Sequence, residues 1–212
     1  FRHSEFTGRS GTFFAYEGLG SVYWHMVAKL LLAAQETALH FRDSGCAQAL
    51  IDCYVDIRRG LGFNKTPAEY GAFPTDPYSH TPKGQGAKQP GMTGLVKEEI
   101  LARQAELGLM LRAGKLVFDP LLLDRVELLV QPAAFTYLDV DGREQRIELE
   151  PGSLAYTICQ TPIVIRAGDR PGITVDYADG STQQIEGNAL DDEDSQHIFH
   201  RDGAITRLKV TF

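Results

Sequence analysis

The sequence predicts an α+β chain, helical in its first part and an antiparallel β-sandwich in its second, and three observations carry that prediction. Apolar residues recur at helical spacing through most of the first sixty positions. From residue 133 onward the pattern alternates with period two. Charge changes between these parts: residues 1–130 hold 14 basic and 14 acidic side chains, whereas residues 131–212 hold 7 and 14. The formal net charge of −7 therefore lies wholly in the second part. We place a helical domain at 1–130 and a β domain at 131–212.

The first helix is predicted over residues 19–40. Val22, Met26, Val27, Leu30, Leu31, Ala34 and Ala38 form an apolar stripe there, with Ser21 available as its cap and Gly45 just beyond its end. A second helix over 47–59 carries Leu50, Ile51, Tyr54, Val55 and Ile57 and stops at Gly60. Two helices joined by a short glycine-containing turn pack as an antiparallel hairpin. One hairpin cannot bury both its faces, so this one needs neighbours.

Residues 60–91 follow as a long irregular loop. Pro67, Pro74, Pro77, Pro82 and Pro90 forbid a continuous helix or a central strand. Phe63, Tyr70, Phe73 and Tyr78 give the loop aromatics to pack, which disordered segments lack. A third helix is predicted over 93–107, capped by Thr93 and ended by Gly108, with Leu95, Val96, Ile100, Leu101 and Leu107 apolar. Glu98 and Glu99 are expected to be solvated, since adjacent helical residues do not face one way. A strand pair over 109–112 and 115–118 turns at Gly114 and ends at Asp119-Pro120.

In the second part, residues 135–140 and 145–149 flank Asp141-Gly142, a strong hairpin signal. Strands at 154–159, 163–166, 173–177, 183–185 and 205–212 follow, with further Asp-Gly turns at 179–180 and 202–203. About seven short strands separated by frequent turns suggest a sandwich or jelly-roll-like domain. Asp191-Asp192-Glu193-Asp194 lacks the alternation and terminal Glu of a calcium loop and reads as a solvated acidic loop. His197 and His200 read as surface or strand-edge residues.

Composition excludes several classes. The acidic second part has no basic stripe, which argues against a nucleic-acid partner. The longest apolar run is too short to cross a bilayer, so no membrane partner is expected. Cys46, Cys53 and Cys159 show no Cys-x-x-Cys pair; they read as buried small hydrophobes, with no metal or other cofactor. The opening Phe1-Arg2-His3-Ser4-Glu5 has no leader and reads as part of a longer chain.

Chemistry concentrates in the helical part. A sugar presents apolar CH faces and hydroxyl edges, so its site combines aromatic platforms with hydrogen-bonding side chains. Around the first helix start, Tyr16, Tyr23 and Trp24 can stack on a sugar while Glu17 and His25 hydrogen-bond to it. The alternative for Trp24 and His25 is packing at a helix contact. In the loop, Asp76, Tyr78, Ser79 and His80 lie within five residues, and Asp76 or His80 can act as acid or base once burial tunes its pKa. Against that stands the ordinary turn-forming role of Asp-Pro. The run from Gln89 to Thr93 delivers backbone amides at a helix start, where an anion such as inorganic phosphate is stabilised.

The Thr93-Gly94 turn, the helix after it, Leu107-Gly108-Leu109 and Gly114-Lys115-Leu116-Val117-Phe118-Asp119-Pro120 together resemble the close of the catalytic toroid in cellobiose-phosphorylase-like proteins. In that family a β domain follows the last toroid helix. Residues 16–26 and 71–82 are similar to segments of large bacterial proteins of the same general kind. The family's Trp- and Tyr-rich sequence around the Thr-Gly turn is replaced here by Gln89-Pro90-Gly91-Met92 and Leu95-Val96-Lys97.

The resemblance implies that residues 1–130 are the end of an (α/α) toroid. The chain would then be the C-terminal part of an enzyme that hydrolyses or phosphorolyses glycosidic bonds, with phosphate as a possible co-substrate and the missing N-terminal part as partner. The resemblance carries over no catalytic residue; the residues themselves make Glu17, Asp76 and His80 the candidate catalytic groups and Tyr16, Tyr23, Trp24, His25, Tyr78, Gln89 and Thr93 the candidate sugar-lining groups, and this chain is expected to be inactive alone. Two other readings stay open: a polysaccharide lyase using Tyr78 and His80 for proton transfer, and a non-catalytic carbohydrate-binding or interaction module.

Overall fold

A computed structural model describes residues 21–62, 80–82 and 96–212, with backbone alone at 21–25, 80–82 and 96. The chain is α+β, and it divides between Arg103 and Gln104 into two compact units.

The first unit opens with a three-residue strand, β1 (Ser21–Tyr23), followed directly by α1 (Trp24–His40). The helix therefore begins later than residue 19. Ser21 does not cap it; its backbone pairs with Pro82 of β2 (His80–Pro82) in an antiparallel ladder. Proline is tolerated in so short a two-stranded ribbon because its missing N–H can face away from the ladder. After a turn over residues 41–46, α2 (Ala47–Leu61) runs through Gly60, and Gly62 caps it with φ of 84°. The left-handed conformation at Gly62 lets its N–H reach the Arg59 carbonyl at 2.9 Å. α1 and α2 pack together as the expected hairpin. They bury Ala28, Leu31, Ala38, Tyr54 and Leu61.

Helix α3 (Val96–Glu106) shows a different face from the one the apolar pattern suggested. Ile100 and Leu101 are each 52% exposed, whereas Glu98 and Ala102 are buried. Polar fastening sets this orientation. Gln35 donates from Nε2 to the Ala102 carbonyl at 3.0 Å, and buried Arg58 clamps Glu99 through both guanidinium nitrogens.

The second unit is built on a five-stranded sheet in the order β10-β9-β11-β8-β7. Its strands are β7 (Ser153–Ile158), β8 (Thr161–Arg166), β9 (Gly172–Tyr177), β10 (Thr182–Glu186) and β11 (Ile205–Thr211). Two separate hairpins precede it: β3 (Leu109–Arg112) with β4 (Lys115–Phe118), and β5 (Ala133–Leu138) with β6 (Glu144–Leu149). The turn between β7 and β8 holds Cys159 and Gln160 at φ of 48° and 68°, so Cys159 lies in a tight turn and not in a strand. A two-residue turn with both φ values positive matches the twist of the strands it joins.

The sheet is mixed, because β11 runs parallel to β8. The cause is the segment expected to be an acidic loop, which is a helix, α4 (Asp192–His200). β10 and β11 are both antiparallel to β9, hence parallel to each other, and parallel strands need a crossover. α4 supplies it. Asp191 caps the helix by accepting from the Asp194 N–H at 2.9 Å, and Asp192, Glu193 and Asp194 complement the positive end of its dipole. Asp194 is buried, unlike a solvated loop residue.

The sheet's inner face carries Ile163, Ile165, Ile173, Val175, Leu208 and Val210, all buried. Leu109, Leu116, Phe118 and Leu123, from β3–β4 and the segment after it, join Ile198 of α4 in the same core. The Ser195 hydroxyl donates to the Asp191 carbonyl at 2.6 Å and accepts from the Leu116 N–H at 3.1 Å, tying α4 to β4. Gly108, at φ of 76°, lies so close to Asp119 and Pro120 that a Cβ would come within 2.5 Å of the Pro120 nitrogen. That contact fastens the end of α3 to the end of β4.

Candidate functional site

The β1–β2 ladder joins the two segments that the sequence singled out as chemically rich. Its register sets Tyr23 opposite His80, Val22 opposite Thr81 and Ser21 opposite Pro82. Trp24 and His25 continue directly from β1 as the first two residues of α1. The backbone thus brings the segment holding Tyr23, Trp24 and His25 against the one holding His80. Tyr16, Glu17, Asp76, Tyr78, Gln89 and Thr93 lie outside the described residues.

The same unit contains a carboxylate that the sequence pattern marks as solvated. Glu98 is instead 5% exposed, and its Oε2 finds no hydrogen-bond partner among the described residues. A buried carboxylate oxygen without a donor costs free energy comparable to a lost hydrogen bond or more. Its neighbour Glu99 is not solvated either, since Arg58 holds it in the bidentate pair. The pair fixes the rotation of α3 and thereby turns Glu98 inward. One signal for this was present in the sequence: Glu98, Ala102 and Ala105 fall at i, i+4 and i+7, a helical stripe of their own. The stronger stripe through Ile100 and Leu101 masked it.

Polar groups around α4 in the second unit serve structure. The Tyr177 hydroxyl lies 2.9 Å from the Asp194 carboxylate and 2.6 Å from the Gln183 amide. Burial, together with the Asp194 carboxylate, pushes the Tyr177 phenol well above the ordinary tyrosine range. Burial likewise raises Asp194, against the lowering effect of the Tyr177 hydrogen bond. His197 and Asp202 pair at 2.6 Å; this contact raises the imidazole and lowers the carboxyl from their usual values. The Tyr177–Asp194 contact braces α4 against β9, and the His197–Asp202 pair ties α4 to the turn that follows it.

The cysteines are not buried hydrophobes in this fold, since Cys46 and Cys53 are exposed and Cys159 is half-buried. Among the described residues no group of three or more His, Cys, Asp or Glu is placed to hold a metal ion. No helix among them is long and apolar enough to cross a membrane.

No family model matches the chain, and no curated protein matches it.

Proposed function

We propose that this chain is part of a carbohydrate-active protein that cleaves glycosidic bonds, by hydrolysis or phosphorolysis. The sugar site is formed around the ladder in which Ser21–Tyr23 pairs with His80–Pro82. The observation that carries this reading is the β1–β2 ladder, which sets Tyr23 opposite His80. Sugar recognition needs aromatic faces, carboxylates and an imidazole converging from separate stretches of chain, and this pairing is the kind of junction that provides it.

Two further observations support the reading. Met26 and Leu30 on α1, like Ile100 and Leu101 on α3, are more than half exposed, as expected of helices that belong to a larger (α/α) layer. Glu98 is a buried carboxylate of the same unit, and glycoside cleavage calls for one or two such groups near the scissile bond. In the sandwich reading of the second unit, the β5–β6 ribbon and the five-stranded sheet are its two layers.

The test is turnover by the full-length parent protein on an oligosaccharide panel, with and without inorganic phosphate. Sugar phosphate formed only with phosphate establishes phosphorolysis; free sugar in both cases establishes hydrolysis. Asp76→Asn, Glu17→Gln and Glu98→Gln are then compared, and loss of the catalytic acid should lower kcat by about a hundredfold or more. An unsaturated uronide absorbing in the ultraviolet, or no cleavage of any substrate, would refute the proposal.

A further inference from the structure

A cleft within the β unit has no role in that reading. It encloses about 300 Å³ between β6 and the outer face of the sheet, a volume at the lower end of small-ligand sites. We propose that this cleft binds an acidic sugar, a polyhydroxylated ring carrying one carboxylate, phosphate or sulfate group.

The cationic wall comes from the sheet. Strand β11 presents Arg207, Lys209 and Thr211 on its outer face, alternating with the core residues Leu208 and Val210. Lys209 stands opposite Val164 on one side and Thr174 on the other, and Thr211 stands opposite Arg166. Arg166 and Lys209 are therefore diagonal neighbours across β8 and β11. A single carboxylate, Asp176, serves two of the three cations: Arg207 at 2.7 Å and Lys209 at 3.0 Å. Arg166 is exposed and makes no ion pair among the described residues. Positive charge is thus in surplus at the end of the cleft where Arg166 and Lys209 meet.

The facing wall has the opposite character. Glu150 lines it beside Ile147 and Leu149 and makes no ion pair among the described residues, whereas the Glu148 carboxylate is already held by Arg146 at 2.8 Å. Each candidate ligand meets both walls. A bare phosphate or sulfate ion would satisfy the cations but face the Glu150 carboxylate and fill little of the cleft. A neutral sugar would suit Glu150, which accepts from hydroxyls, but would leave Arg166 without an anion. A ligand with an anionic end and a hydroxylated body satisfies both, and the apolar side chains of Ile147, Leu149 and Val164 can take its CH face.

The proposal is tested by binding alone, on the 212-residue chain, so its outcome is separable from turnover at the other site. Glucuronate, glucose 6-phosphate, glucose and inorganic phosphate are titrated at low salt, with methyl signals of Val164 and Leu149 followed by NMR. Saturable shifts are expected with glucuronate or glucose 6-phosphate, and the stronger of the two identifies the oxyanion. Arg166→Ala and Lys209→Met should each weaken binding by roughly tenfold, the loss of one charge-assisted hydrogen bond. Val164→Phe, which fills the cleft without changing charge, should abolish binding. Thermal melts of the three variants confirm that each is folded. Equal affinity for glucose or for inorganic phosphate overturns the proposal, as does binding indifferent to all three substitutions or no saturation with any probe.

Discussion

Replacing Gly108 by alanine tests whether the link between α3 and β4 is as tight as the geometry indicates. The substitution meets two separate penalties. At φ of 76° an alanine sits in the left-handed region, which costs about 1–2 kcal/mol. Its Cβ would also lie 2.5 Å from the Pro120 nitrogen and 2.7 Å from the Asp119 carbonyl carbon. These are main-chain atoms, held in place by the hydrogen bond from the Asp119 N–H to the Gly108 carbonyl at 2.6 Å, so no side-chain rotation relieves the clash. Forced overpacking of this kind adds about 1–3 kcal/mol, bringing the total to about 2–5 kcal/mol.

Gly114 supplies the control. It has φ of 83°, and a Cβ added there would meet nothing within 4 Å, so Gly114→Ala carries only the conformational penalty. Both substitutions lower the entropy of the unfolded chain equally, and that contribution cancels between them. Urea unfolding of the whole chain, followed through the methyl signals of Ile163, Ile173 and Val175, reports on the second unit alone. Gly108→Ala should be the more destabilising by about 1–3 kcal/mol. Equal losses in the two variants would refute the steric argument, because conformation alone would then account for both.

Further expectations concern charge and access. His197 is raised by its contact with Asp202, so the pair stabilises the fold below the unfolded histidine pKa, and that contribution is lost as pH rises through the folded value. Asp202 is lowered, so the same contribution also fades in acid as pH falls through its folded value. NMR titration should show the His197 pKa drop toward normal in Asp202→Asn; an unchanged midpoint would discard the pair. Arg58→Met should destabilise the first unit by about 3–5 kcal/mol, because it strands Glu99, whereas Arg58→Met with Glu99→Leu should recover part of the loss. A double-mutant cycle read by fluorescence of the single tryptophan checks this, and strict additivity would count against the bidentate clamp. Cys46 and Cys53 should react rapidly with a thiol reagent in the native protein and Cys159 more slowly. A single fast-reacting thiol would contradict those exposures.

Local order was highly legible. The hairpin over 109–118 and the strands after it fall where alternation and turn residues put them, because each depends on neighbours in sequence: Asp141-Gly142 and Asp179-Gly180 set their turns whatever lies beyond. The second helix is legible for the same reason. The candidate site was legible only as two separate segments, 16–25 and 71–82, since no periodic pattern marks a three-residue ladder such as Ser21–Tyr23 with His80–Pro82.

Other features depended on contacts distant in sequence. The burial of Glu98 follows from Arg58, 41 residues before Glu99, and from Gln35, 67 residues before Ala102. The acidic segment at 191–194 looks the same as loop or as helix start until Leu190 and Ile198 have a sheet to pack on. Once α4 forms, β11 must enter between β9 and β8 and run parallel to β8, which no count of strands reveals. The cleft beside Lys209 likewise exists only after β6, β8, β9 and β11 are assembled, because its walls come from strands that share no local pattern. The sequence by itself determined the α+β class and most element positions, since those reflect turn chemistry and periodicity within a few residues. Only the tertiary structure decided strand order, the facing of α3 and the two candidate sites, since side-chain pairing across tens of residues is chosen by packing and charge and not by local propensity.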